Sequence, residues 1–272
     1  MPAIQPAKLV VQVAELTEHV SEPKIYLKSL HELLDFYADR TLRPGQIIES
    51  APLLKSYQVA RPVLRQIERE LAKVVNTDSE AALALADALW EQRWVETRLL
   101  AISILGRVSP NPPERVTQRA QEWGSKCKED KIIKALSSTG IARLRTESRD
   151  EFIDLIESWL TSGNRPLELV GLRALPALLG IDGFKNLPLV FRWIAPLVRE
   201  ADREIRDDLI LTIRILAGLS PKETLFFLRN SLEATSNPQT AKLIRRTLVD
   251  FPEDLSSTLR LELRRRRNGN ID

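Results

Sequence analysis

Arg61, Arg65, Arg69 and Lys73 stand at every fourth position, the spacing that lays side chains along one face of an α-helix. A helix carrying them presents a strip of positive charge about three turns long. The chemistry of such a strip is electrostatic: it neutralises nucleic-acid phosphates and releases their counterions. Lys126, Lys128, Lys131 and Lys134 form a second cluster, Arg165 and Arg173 a third, and Lys242, Arg245 and Arg246 a fourth, while Arg264 to Arg267 are consecutive cations. Acids interleave with these groups: Glu68 and Glu70 flank Arg69, and Glu129 and Asp130 interrupt the lysines. Cations that are merely solvated or internally paired are therefore the alternative to a binding surface. The candidate nucleic-acid contacts are Arg61, Arg65, Arg69, Lys73, Lys128, Lys131, Lys134, Arg165, Arg173, Arg245 and Arg246.

Most reaction chemistries lack their residues. The chain holds 2 histidines, His19 and His31, both near the N-terminus, so a Ser-His-Asp triad or a histidine-rich metal site in the body of the chain has nothing to build on. The segment His31, Glu32, Leu33, Leu34, Asp35 lacks the second histidine of a zincin, and no glycine-rich phosphate loop is present. Neither a metal nor a cofactor is expected. Cys127, between Lys126 and Lys128, has cations that would favour a thiolate but no neighbouring base; as the single cysteine it forms no internal disulfide, and a reducing cytoplasm is the expected setting. No apolar run approaches the ~20 residues of a membrane span, so no membrane partner is expected. With 40 Lys and Arg against 37 Asp and Glu, bulk charge selects no partner, and any basic surface must come from sorting charges between faces.

The elements that position these cations repeat. Trp90, Trp123, Trp159 and Trp193 are separated by 33, 36 and 34 residues, and Gly106, Gly140, Gly180 and Gly218 by 34, 40 and 38. A period in the high thirties is that of stacked two-helix units. The fold expected is all-α, a curved solenoid of HEAT-like repeats in one domain spanning 1–272. It has N-terminal helices in 1–76, repeats at 77–108, 114–143, 150–180, 185–219 and 222–251, and a terminal helix with a basic tail in 252–272. Lys24 to Arg40 reads as the first helix, broken by Arg43, Pro44 and Gly45. Tyr57 to Val75 reads as the second, followed by Asn76, Thr77 and an Asp78 N-cap. Ala82, Leu85, Ala86, Leu89 and Trp90 set a template that recurs as Phe152, Leu155, Ile156, Trp159 and Leu160. Val95 to Val108 reads as a partner helix, and Ser109 to Pro113 as the strongest break. Leu209 to Leu219 has the all-round apolarity of an inner helix; Pro176 and Pro196 lie inside helices and bend them. One tryptophan per repeat is a packing anchor, whereas Trp94, off the beat, either faces a groove or caps the stack. In such an array the second helices line one side, so their cations merge into a groove that tracks phosphates.

Val59, Ala60, Arg61, Pro62, Val63, Leu64, Arg65, Gln66 and Ile67 resemble the Val-x-x-Pro-x-Leu-Arg-x-Ile opening of the HEAT-like DNA alkylation repair proteins, the AlkD-type alkylpurine glycosylases. Leu89, Trp90, Glu96, Arg98 and Ala101 are similar to that family's next block, and Trp159 to Asn164 to its Trp-Ile-x-Ser-Asp-Asn. The matches keep the family's order over Tyr57 to Leu179. The resemblance implies a curved stack whose basic concave face holds duplex DNA and releases cationic alkylated purines. Aromatic faces and a carboxylate would there stabilise the charge developing on the sugar. Departures accompany it. Where the family has a Trp-Asp pair and a further Asp, this chain has Cys127 to Ile132 without an aromatic. Pro166 and Leu169 stand where a tryptophan and an arginine follow the Asn, and Gln58 replaces the glycine before the valine. Asp130, Arg165 and Arg173 are the residues that would have to substitute in space. Three functions follow: a DNA-binding member that is non-catalytic or has a rearranged site, an active alkylbase glycosylase, or a protein-binding scaffold.

Overall fold

The structure, a computed structural model, describes residues 5–39 and 54–268, with side chains up to Arg265; the break at Arg43, Pro44 and Gly45 and the side chains of Arg266 and Arg267 lie outside the described residues. The described residues are all helical apart from their connections, and divide into two compact units, 1–155 and 156–272. None of their helices is long and apolar enough to cross a membrane.

Unit 1 opens with α1 (Pro6–Thr17) and α2 (Pro23–Phe36). The first helix thus precedes the one read from Lys24 onward; its pattern is short, with only Leu9, Val13 and Leu16 buried. The next helix, α3 (Arg61–Thr77), begins later than the apolar pattern suggested, because Tyr57 to Ala60 are not helical and Pro62 sits in its first turn, where a missing N–H costs nothing. Asp78 then caps α4 (Ser79–Trp90) by accepting from the Ala81 N–H at 3.0 Å. After α5 (Val95–Leu105) come α6 (Glu114–Ser125), α7 (Asp130–Ala135), one π-helical stretch at Leu136–Gly140, α8 (Ala142–Glu147) and α9 (Arg149–Leu160), the last crossing into unit 2. Helix α3 packs on α1 and α5, and α5 on α7, so these form one layer; α2 packs on α4 in the other.

Unit 2 continues with α10 (Arg165–Leu179), α11 (Leu187–Glu200), α12 (Arg206–Leu219), α13 (Pro221–Glu233), α14 (Pro238–Thr247), a 3-10 turn at Leu248–Asp250 and α15 (Glu253–Asn268). Asn164, Asn186 and Asn237 cap α10, α11 and α14, each with its side-chain oxygen on a backbone N–H. Pro176 and Pro196 lie inside α10 and α11. Here α10, α12 and α14 pack in one layer, and α11, α13 and α15 in the other.

The four periodic tryptophans are core. Trp90, Trp123, Trp159 and Trp193 are 4%, 3%, 0% and 1% exposed, and Trp90 stacks on Trp123 with centroids 4.5 Å apart. Burying one indole is worth about 4–6 kcal/mol gross at the usual area coefficient. That exceeds the ~1–3 kcal/mol cost of a buried donor without a partner, which both Trp159 Nε1 and Trp193 Nε1 incur. The repeat is equally visible in the polar contacts. Arg115 pairs with Glu80, Arg119 with Asp87, Arg192 with Glu157, Arg165 with Glu200, Arg173 with Asp208 and Arg214 with Asp250, each reaching 32–36 residues along the chain. One repeat therefore grips the next at a fixed offset.

Candidate nucleic-acid interface

Helix α3 is amphipathic. Val63, Ile67, Leu71 and Val75 are buried on one side, while Arg61, Arg65, Arg69 and Lys73 are exposed on the other. Arg69 Nη1 donates to Gln66 Oε1 at 3.2 Å, and Lys73 pairs with Glu70 at 2.6 Å. Arg61 and Arg65 form no ion pair among the described residues. Their field, with that of Arg107 past the end of α5, pulls the Glu68 carboxyl down, but burial outweighs them and holds it above the usual range. Two helices along, at and before α7, Lys128, Lys131 and Lys134 are exposed and likewise unpaired among the described residues. Unit 1 therefore brings the α3 strip and the α7 lysines into the same helical layer, on either side of α5.

Between them lies a cluster that helical periodicity conceals. The extended segment before α3 is pinned against the start of α5: Lys55 N–H donates to the Arg93 carbonyl and Val95 N–H to the Lys55 carbonyl, both at 2.9 Å. Tyr57 consequently stacks on Trp94, with centroids 3.8 Å apart and planes 10° from parallel. The Lys55 ammonium lies 5.7 Å from the Trp94 ring centre, and His31 Nδ1 meets the Tyr57 hydroxyl at 2.9 Å. Trp94 is thus half-buried at the start of α5 rather than in the core. Beneath the segment, Glu96 is 3% exposed. Its Oε1 accepts from Ser56 Oγ at 2.7 Å and from the Gln58 N–H at 2.9 Å, while Oε2 has no partner. Glu96 thereby fixes the segment before α3 against α5. The signal in the sequence was Trp94 off the tryptophan beat; its partner Tyr57 was absorbed into an overlong helix.

Gln58 holds this segment in a conformation unusual for its residue type, with φ 56°. A side chain in the left-handed region costs about 1 kcal/mol that glycine avoids. Gln58→Gly keeps the N–H to Glu96 and is expected to raise stability by about 0.5–1 kcal/mol, part of the relief being lost to the freer unfolded chain. A urea titration with unchanged slope checks it; a lower midpoint refutes the strain.

The cations of unit 2 are arranged differently. Arg165, 28% exposed, is surrounded by Glu168 at 2.7 Å, Glu200 at 2.8 Å and Asp202 at 3.6 Å. Arg173 engages both oxygens of Asp208, at 3.1 and 3.4 Å. Both guanidiniums are thereby neutralised within the molecule. Arg245 and Arg246 on α14 are exposed and form no ion pair among the described residues. Cys127 is buried, and desolvation pushes its thiol up to about 12, so it is not a nucleophile at neutral pH. No group of three metal-ligating side chains occurs among the described residues.

The family model for the DNA alkylation repair enzymes matches residues 54–247. The chain belongs to that family. Comparison with curated proteins and with solved structures gives no match. The family segment begins just before the stretch that stacks Tyr57 on Trp94 and ends with α14, leaving α1, α2 and α15 outside it. Gln58 lies within the matched segment and takes a positive φ. At the stretch that departs from the family's Trp-Asp pattern, Cys127 faces the core and Lys128 and Asp130 face solvent.

Proposed function

We propose that this member of the DNA alkylation repair family binds duplex DNA by its sugar-phosphate backbone, through the cations of α3 and α7, and is non-catalytic by the family's aromatic-carboxylate mechanism. The observation that carries the reading is that Arg61 and Arg65, one turn apart, are exposed without an ion pair among the described residues, where Arg165 and Arg173 are each held by carboxylates. Free guanidiniums exchange water and counterions for phosphate at little cost; paired ones must first break a contact. Against base release stand the buried, high-pKa Cys127 in place of an exposed aromatic and the neutralisation of the two arginines that would have had to substitute.

Duplex affinity measured against salt tests the binding. With Arg61, Arg65, Lys128, Lys131 and Lys134 engaged, the logarithmic slope is expected near −4 to −5; a flat response, or no binding at low salt, removes the reading. Incubation with methylated DNA is expected to release no alkylated base above background, and measurable release would establish a rearranged glycosylase site instead. The alternation of arginine and acid between α10, α12 and the turn after α14 favours a second surface role in unit 2, toward a protein rather than a polyanion.

A further inference from the structure

Where α14 turns into α15, a cleft of about 210 Å³ is lined by Arg245, Leu248, Val249, Arg260, Leu263 and Arg264. Three guanidiniums and three aliphatic side chains meet there, and among the described residues no carboxylate lines it. The frame is rigid on one side: Arg260 donates from Nη2 to the Leu248 carbonyl and from Nε to Ser256 Oγ, both at 3.0 Å, binding α15 to the 3-10 turn. Those bonds use two of the five guanidinium N–H donors and leave the rest for another acceptor. Arg245 and Arg264 are exposed and form no ion pair among the described residues. The nearby acid Asp250 is already taken by Arg214 at 2.8 Å. Val249 is 80% exposed at the edge of this basic cleft. Most of this wall lies beyond the family segment, which ends at residue 247.

We infer that this cleft is a docking site for a protein partner presenting a short acidic segment with an aliphatic or aromatic side chain among its carboxylates. Charge complementarity selects an anion: planar guanidiniums bind carboxylates in a forked geometry. The apolar part decides which anion. A phosphodiester backbone offers nothing to cover the exposed Val249, whereas a peptide carboxylate carries an apolar neighbour within one residue's reach. The cleft volume suits one such side chain rather than a folded domain.

The test is an array of octapeptides in which the number of Glu and Asp residues and the number of Leu and Phe residues vary independently, probed with the full chain. The best binder is then labelled and titrated in solution. Retention is expected to require both features together. Arg245→Ala combined with Arg264→Ala is expected to weaken the titrated peptide at least tenfold, and Val249→Ser several-fold. Duplex DNA affinity is compared in Arg264→Ala alone and in Val249→Ser, since Arg245 is itself a candidate phosphate contact; in both it is expected to stay unchanged, so the outcome is independent of the DNA reading. All three positions are exposed, and Arg260 is left in place, so the fold is not at stake. Retention that follows negative charge alone, the absence of any acidic and apolar binder, or a loss of duplex affinity in Arg264→Ala alone would each overturn the proposal, the last by assigning the cleft to nucleic acid.

Discussion

Replacing Arg61 and Arg65 with alanine is expected to weaken duplex binding about a hundredfold near 0.1 M salt, since two charge-assisted contacts at about 1.5 kcal/mol each amount to about 3 kcal/mol. The salt slope should become shallower by about 2, which separates lost phosphate contacts from a general loss of structure. Neither side chain is buried or ion-paired among the described residues, so stability should change by less than about 0.5 kcal/mol. Arg173→Ala is the informative contrast. Its guanidinium and Asp208 are each 20% exposed and share a forked bond, so its removal is expected to lower stability by about 1–2 kcal/mol while leaving the slope as it was. If the two substitutions affect DNA equally, pairing within the protein does not decide which cations bind.

A second large effect concerns two glycines that stand at similar places in the repeat rhythm. A Cβ on Gly106 would lie 1.8 Å from the Thr139 carbonyl oxygen and 3.3 Å from the Gly140 Cα, both backbone atoms that no rotamer change removes. The same junction is tied by Arg143 Nη1 donating to the Arg107 carbonyl at 2.8 Å, so the end of α5 is not free to withdraw. Gly106→Ala is therefore expected to destabilise unit 1 by about 3 kcal/mol, overpacking exceeding the ~1 kcal/mol that alanine returns in helix propensity. At Gly218, exposed in the last turn of α12, nothing lies within 4 Å of the added methyl. Gly218→Ala should be neutral or gain up to about 1 kcal/mol. Urea midpoints for the pair, at matched slopes, check both signs; a neutral Gly106→Ala would mean that the two repeats are not in backbone contact there.

This contrast also shows what a repeat marker can mean. Gly106 and Gly140 meet at an inter-repeat contact and Gly180 ends α10, but Gly218 lies inside its helix and packs on nothing. The spacing of glycines pointed to the period without distinguishing a close approach from a coincidence. Tryptophan spacing was the firmer sign, because an indole that anchors the core of each repeat must recur at the repeat length. The all-α architecture and the Asp78 cap were likewise legible, since each depends on neighbours within four residues. Helix α1 escaped because Val10 and Val11 on its exposed side blur the helical period of the buried Leu9, Val13 and Leu16, and Tyr57 to Ala60 because residues preceding a proline-started helix read like its first turn.

At the candidate site, the strip from Arg61 to Lys73 followed from the chain alone: four residues one turn apart share a face wherever the helix is placed. Which cations stay free did not. Arg165 and Arg173 look no different in type from Arg61 and Arg65, yet their carboxylates come from Glu200 and Asp208, about one repeat further along the chain. Tyr57 and Trp94, 37 residues apart, become a stacked pair only when the segment before α3 lies along the start of α5. Local helical geometry and burial periodicity are written in short-range order and so belong to the sequence by itself. Charge neutralisation and ring stacking depend on distances between repeats, which exist only once the helices have packed.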